Sequence, residues 1–246
     1  VPTGNVTVVV TDASGDVVFN DTANLSDGKV TVTVPVLPAG DYDVTVTYNG
    51  DANYTDTVGK DSFTVNKIDS TVDVDTSNIA YGDTETIKVT LPEDATGTVN
   101  VTVKGPDGFE KTFTDLPVED DGTVTVPVED LNAGDYTVDV SYGGDNNYKP
   151  HNGTGSFSVD KSTPSVSVEG TDINYGNDET ITVNVTGKNI TGNVTIIIDG
   201  KENDTIDLTQ TEDGATAVLN VSGLSAGEHT VEAVYNGDEN HYSNQN

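Results

Sequence analysis

The stretch LPAGDYDVTVTYNGDANY, Leu37 to Tyr54, returns as LNAGDYTVDVSYGGDNNY from Leu131 to Tyr148 and, loosened, as LSAGEHTVEAVYNGDENHY from Leu224 to Tyr242. The copies begin 94 and 93 residues apart. Other landmarks keep step: TGNVTV at Thr3, TGTVNV at Thr96 and TGNVTI at Thr191; SFTVNK at Ser62 and SFSVDK at Ser156; YGDTETIKV at Tyr81 and, with one residue inserted, YGNDETITV at Tyr175. A period of about 94 residues is too long for a solenoid unit and suits a string of small domains. The phasing predicts a repeat over 1–67 without its first strands, a full repeat over 68–161, and a repeat over 162–246 without its last strand. The chain then reads as a window on a longer array, with open sheet edges in its outer repeats that invite pairing.

Inside the middle unit the apolar residues alternate with period two, and no stretch has helical periodicity. Val72 and Val74 mark strand A; Ile87, Val89 and Leu91 strand B; Val99, Val101 and Val103 strand C, which ends at Gly105-Pro106-Asp107-Gly108. Phe109–Leu116 gives D, Val124, Val126 and Val128 give E, Tyr136–Tyr142 gives F, and Ser156–Val159 gives G. The fold class is therefore all-β: tandem seven-stranded sandwiches of immunoglobulin-like type in a linear array. Each F strand follows a Leu-x-Ala-Gly turn, which places Tyr42 and Tyr136 to bury their rings and bond backbone upstream, the tyrosine corner of such folds. The third repeat has His229 there, a change expected to weaken the corner. Tyr42, Tyr48, Tyr136, Tyr142 and Tyr235 are the structural residues this reading depends on.

Composition narrows the function. The 246 residues hold 42 acidic side chains against 10 basic ones, a net charge of −32, and no Cys, Met or Trp. All the basic residues are Lys. Such a polyanion is repelled by phosphate backbones and anionic lipid surfaces, so nucleic-acid partners are excluded and no membrane insertion is expected in this segment. Without thiols there is no disulfide, thiolate metal site or Cys nucleophile.

Tyr48-Asn49-Gly50-Asp51-Ala52-Asn53-Tyr54 and Tyr142-Gly143-Gly144-Asp145-Asn146-Asn147-Tyr148 carry a resemblance. With these loops the chain resembles bacterial and archaeal Ig-like repeats of the Tyr-x-Gly-Asp-x-Asn-Tyr type. The third copy departs from the pattern by an inserted residue in Asn240-His241-Tyr242. The resemblance implies tandem modules of large adhesin-like surface proteins, mostly stalk or spacer, some binding glycans or other surface molecules.

No reading as an enzyme survives. Gly223-Leu224-Ser225-Ala226-Gly227 matches a nucleophile elbow, but Ser225 occupies the turn position of Pro38 and Asn132, with no helix after it. His151, His229 and His241 share no phase. Asp73-x-Asp75 lacks the Gly and Glu that an EF-hand needs at its sixth and twelfth positions. Lys88 points outward, and Lys67 and Lys161 recur at repeat ends, where a spacer contact is simpler than an isopeptide bond.

Two features remain open. Asp51, Asp145 and Asp238 recur at one phase, each with an Asn two residues on, Asn53 and Asn147 in the first two copies. They either cap their own loop or form a Ca²⁺ site at the domain junction, with Asp83 or Asp178 as further carboxylates. Sequons occur at Asn5, Asn20, Asn24, Asn53, Asn100, Asn152, Asn184, Asn189, Asn193, Asn203 and Asn220, about twice the number that composition alone gives. Either they are glycosylated or β alternation interleaves Asn with Thr. The leading expectation is a stalk or fibre segment at the extracellular cell surface, whose partners are neighbouring repeats of the same or an adjacent chain. A module binding glycans or host-surface proteins through Tyr54, Tyr148 and Tyr242 is the alternative, and an accessory region of a secreted hydrolase the third.

Overall fold

The structure is a computed structural model that describes residues 1–245. In the central strands, such as Thr98–Lys104 and Thr123–Val128, Val alternates with other, mostly polar residues, so the Val side chains share the buried face. In the first repeat β1 (Asn5–Asp12), β2 (Val17–Asn24), β3 (Gly40–Tyr48) and β4 (Thr57–Val65) make one antiparallel sheet, ordered β2-β1-β3-β4. Val6, Val8 and Val10 of β1 and Tyr42 of β3 are buried on it.

The middle repeat holds β5 (Asp73–Asp75), β6 (Ile79–Ala80), β7 (Glu85–Thr90), β8 (Thr98–Lys104), β9 (Glu110–Pro117), β10 (Thr123–Val128), β11 (Gly134–Tyr142) and β12 (His151–Asp160). These form two layers, β10-β7-β5 and β6-β12-β11-β8-β9. The all-β sandwich expected from the alternation is thus the fold. Its core is a Val ladder in which Val89, Val101, Val103, Val128 and Val138 are wholly enclosed. Each such side chain contributes about 1.5–3 kcal/mol by leaving water. Tyr136 stacks on Phe157 at 5.0 Å and meets Phe109 edge-on at 5.7 Å.

Two details differ from the sequence reading. Strand A divides: β5 pairs antiparallel with β7, then the chain crosses layers and β6 runs parallel to β12. The crossing is held by a buried carboxylate, since Glu85 Oε1 accepts the Ser77 amide at 2.9 Å. Strand G begins at His151, five residues before the predicted Ser156, because Gly153 and Gly155 let the backbone pass close against Val72 and Val74.

The third repeat holds β13 (Ser165–Glu169), β14 (Glu179–Thr186), β15 (Asn193–Ile198), β16 (Lys201–Asp207), β17 (Thr209–Thr211), β18 (Gly214–Val221), β19 (Val231–Tyr235) and β20 (Asn244–Gln245). They form sheets β13-β14-β18-β17 and β16-β15-β19-β20 around Ile181, Val183, Ile196, Ala233 and Tyr235. Glu179 takes the place of Glu85 and accepts the Thr171 amide. In the first repeat the stretch 30–36 stands at the phase of β10 yet forms no strand, and Val36 is fully exposed. Strand β10 pairs only with β7, and residues 1–67 contain no counterpart of β7.

Candidate functional site at the repeat junctions

The loops β3–β4, β11–β12 and β19–β20 share one construction. Asp145 Oδ1 accepts the amides of Asn147 and Tyr148, both at 2.8 Å, while Oδ2 accepts the Thr96 amide at 2.8 Å and its hydroxyl at 3.0 Å. Asp51 is bonded alike to Asn53, Tyr54 and both donors of Thr3. Asp238 takes the Asn240 amide, His241 Nδ1 and both donors of Thr191. The same threonines present their carbonyls to Tyr48, Tyr142 and Tyr235, each at 2.9 Å. Gly144 sits at φ 77°, and a Cβ there would lie 2.7 Å from the Tyr148 carbonyl oxygen, so the tight turn excludes any larger residue.

These bonds favour the ionised carboxylate. Burial alone would raise the Asp145 carboxyl, but the amides of Thr96, Tyr148 and Asn147 outweigh it and bring it down to about 2. The Thr3 amide, with those of Asn53 and Tyr54, holds Asp51 well below the usual range. In Asp238 burial opposes the shift and the Thr191 donors prevail. Burial foremost, with the Asp145 carboxylate, pushes the Tyr142 hydroxyl up to about 12.

The loops are also where neighbouring repeats meet. The Ala39 amide, in the Leu-x-Ala-Gly turn of the first repeat, donates to Asn147 Oδ1 of the second at 3.1 Å. The Ala133 amide donates likewise to Asn240 Oδ1 of the third at 2.8 Å. Backbone closes beside each contact. The Ile68 N–H donates to the Asn147 carbonyl, and the Ile68 carbonyl accepts from the Lys149 N–H; Ser162 does the same with Asn240 and Tyr242. Lys67 and Lys161 donate to the carbonyls of Asp145 and Asp238. All three loops are folded by their own repeat's carboxylate, and those of the second and third repeats each present one amide oxygen and one carbonyl to the repeat before.

The residues do not fit a calcium ion. All four acceptor positions on each aspartate are taken by N–H or O–H donors, and Asn147 Oδ1 is spent on Ala39. The Asp83 carboxylate faces its own Ala80 amide. Among the described residues no three His, Asp or Glu side chains converge as a metal-ligand set.

The histidines and loop tyrosines fall differently from the sequence reading. His241 is not beside an insertion: it occupies the place of Tyr148, buried, with Nδ1 2.8 Å from Asp238. Tyr242 then stands at the phase of Lys149, outside the loop. Tyr54 and Tyr242 are exposed but Tyr148 is packed, so the three rings form no shared platform. His229 preserves the corner. Tyr42 and Tyr136 donate to the carbonyls of Pro38 and Asn132 at 2.7 and 2.9 Å, and His229 Nε2 reaches the Ser225 carbonyl at 2.9 Å. Its Nδ1 meets Asp199 at 2.7 Å. The Ser225 carbonyl, then Asp199, raise the imidazole's proton affinity. His151 opens β12 and is exposed.

Sequence reasoning missed the turn amides Ala39 and Ala133, because a backbone donor leaves no side-chain signature. It also missed Tyr81, whose ring meets His241 edge-on at 5.2 Å across the second junction, although the repeated YGD and YGN landmarks marked the position.

A family model described as bacterial Ig-like domain (group 3) matches residues 72–160 and 166–246. No curated protein matches the chain. Among solved structures, a three-Ig-domain segment of titin is similar at TM-score 0.38 and 12% identity, covering 99% of this chain and 90% of that one. An Escherichia coli alpha-2-macroglobulin aligns at TM-score 0.32 and 12% identity over all of this chain and 29% of its own. The BSP domain of a biofilm-associated protein aligns at 0.27 and 16% identity, over 96% and 44%.

Proposed function

Because the chain belongs to the bacterial Ig-like domain family, group 3, we propose that its tandem repeats act as a spacer: a stalk or fibre segment of an adhesin-like protein at the extracellular cell surface. The observation that carries this is the latch repeated at both junctions, Ala39 to Asn147 and Ala133 to Asn240. A contact remade at every join holds successive repeats in one relative orientation, which is what transmitting length requires. The charge of −32 adds self-repulsion that keeps such a rod extended and soluble. The working partners are neighbouring repeats.

The test is a distance distribution between spin labels placed in the first and third repeats, in the native sequence and in the double variant Asn147→Ala/Asn240→Ala. A narrow distribution that broadens in the variant is expected. A native distribution as broad as the variant's ends the reading.

A further inference from the structure

Every repeat carries a sequon on the outward face of the same strand. It is Asn5-Val6-Thr7 on β1, Asn100-Val101-Thr102 on β8 and Asn193-Val194-Thr195 on β15. The plain explanation is structural, and half of it holds. The three threonines make cross-strand hydroxyl pairs, Thr7 with Thr22, Thr102 with Thr112 and Thr195 with Thr205, at 3.0 to 3.1 Å. The asparagines are also used, but at one end only. Asn5 and Asn193 accept from Asn49 and Asn236 through Oδ1, both at 2.7 Å. Asn100 Oδ1 accepts the Asp115 amide at 2.8 Å, at a bulge in β9 where that N–H has left the ladder. A backbone N–H can only donate, so the Asn100 amide nitrogen faces away from it.

The unused end is the one that chemistry needs. N-glycosylation joins sugar to Nδ2 and leaves Oδ1 and one N–H intact, so at these positions every existing bond survives the modification. The contrast lies within each pair: Asn49 and Asn236, outside any sequon, spend Nδ2 on two acceptors each. When the middle repeat loses the pair, with Thr98 and Gly143 in those places, a sequon Asn reappears two residues on, at the next outward position of the same strand. Among the described residues only one sequon nitrogen donates a hydrogen bond. It is Asn189, whose Nδ2 reaches the Tyr81 hydroxyl across the second junction at 3.3 Å. A glycan there would displace Tyr81.

We infer that Asn5, Asn100 and Asn193 are N-glycosylation sites and that Asn189, though a sequon, stays bare. In the reaction Nδ2 bonds to the anomeric carbon of a lipid-phosphate-linked oligosaccharide. The carbon–oxygen bond to phosphate breaks, the lipid phosphate leaves with that bond's electron pair, and one Nδ2 proton passes to base. The result is sugar on the same strand of each repeat, with the contact between Asn189 and Tyr81 left intact. This goes beyond the spacer reading and does not rest on it.

The experiment is glycopeptide mass mapping of the chain purified from the cells that make it, before and after chemical deglycosylation. Sugar-mass increments on the Asn5, Asn100 and Asn193 peptides with an unmodified Asn189 peptide are expected. In the variant Thr102→Ala the Asn100 increment should vanish while the Asn5 and Asn193 increments stay. A bare C-strand peptide in the native chain, or sugar on Asn189, overturns the assignment.

Discussion

The two junctions share a latch but not its surroundings. At the first, Asn147 accepts from Ala39 and its neighbour Tyr148 turns inward to the Asp94 carboxylate of its own repeat. At the second, Asn240 also donates to Asn132 at 3.3 Å, Lys188 pairs with Asp130 at 3.0 Å, Asn189 reaches Tyr81, and His241 replaces the inward Tyr. The equivalents explain the gap: Pro38 offers no side-chain acceptor where Asn132 does, Val36 stands where Asp130 stands, and Glu93 where Lys188 stands. What the copies keep is backbone geometry fixed by Asp and Asn. What they vary is the ring of side chains around it. A join can thus gain contacts while its Ala-to-Asn latch stays the same.

The largest effect should come from the loop carboxylates. Asp145→Ala or Asp238→Ala strands several donors, and we expect a loss of about 3 kcal/mol from the affected repeat in urea titration. If the loop is folded by this carboxylate, Asp238, the more enclosed, should cost more. Acid should act on the same group. Asp145 is lowered to about 2 from 3.8, so its contribution is complete above 3.8 and is lost as pH falls through about 2. The Asp145→Ala chain should lack that portion of the acid transition.

Next come the latch amides. Asn147→Ala should reduce coupling between the first and second repeats by about 1 kcal/mol, and Asn240→Ala should exceed it because two bonds go. Equal losses would show that Asn132 adds nothing. Lys188→Ala should cost about 0.5 kcal/mol or less, since both partners are exposed, and the loss should disappear in about 1 M salt.

The smallest effect concerns the third repeat's corner. The proton affinity of His229 is raised on folding, so its contribution is whole below the unfolded value of 6.5 and fades as pH rises through the folded one. His229→Tyr should remove that slope in thermal melts between pH 5 and 9, and an unchanged slope would break the assignment.

The positions of the strands and the core were legible because period-two alternation over Val and Tyr marks the inward face of each strand in a small two-layer domain. The Gly-Asp loop was legible as a capped turn, since Asp, Gly and Asn have local reasons to be there. Its reach into the next repeat was not, because the donor is the peptide of Ala39 or Ala133 and any residue but Pro supplies one. His241 was misplaced for a similar reason: an imidazole and a phenol fill the same slot, and alignment by residue type put Tyr242 there instead. The split of strand A hid because Glu85 reads as a polar residue at an inward position, intelligible only once the Ser77 amide it caps is seen.

The short pairing of β6 with β12 has a mechanical corollary. Both strands run the same way, and Val159 and Asp160 lie beside Ile79 and Ala80, near the point where the repeat hands over to the next. Pulling on the two ends of the repeat drags these neighbours in opposite directions along their own axes, so their bonds are strained together instead of unzipping in turn. Resistance to stretching is then concentrated in a few peptide groups, and a Pro placed at either strand should make the repeat yield at lower force with little change in its chemical stability.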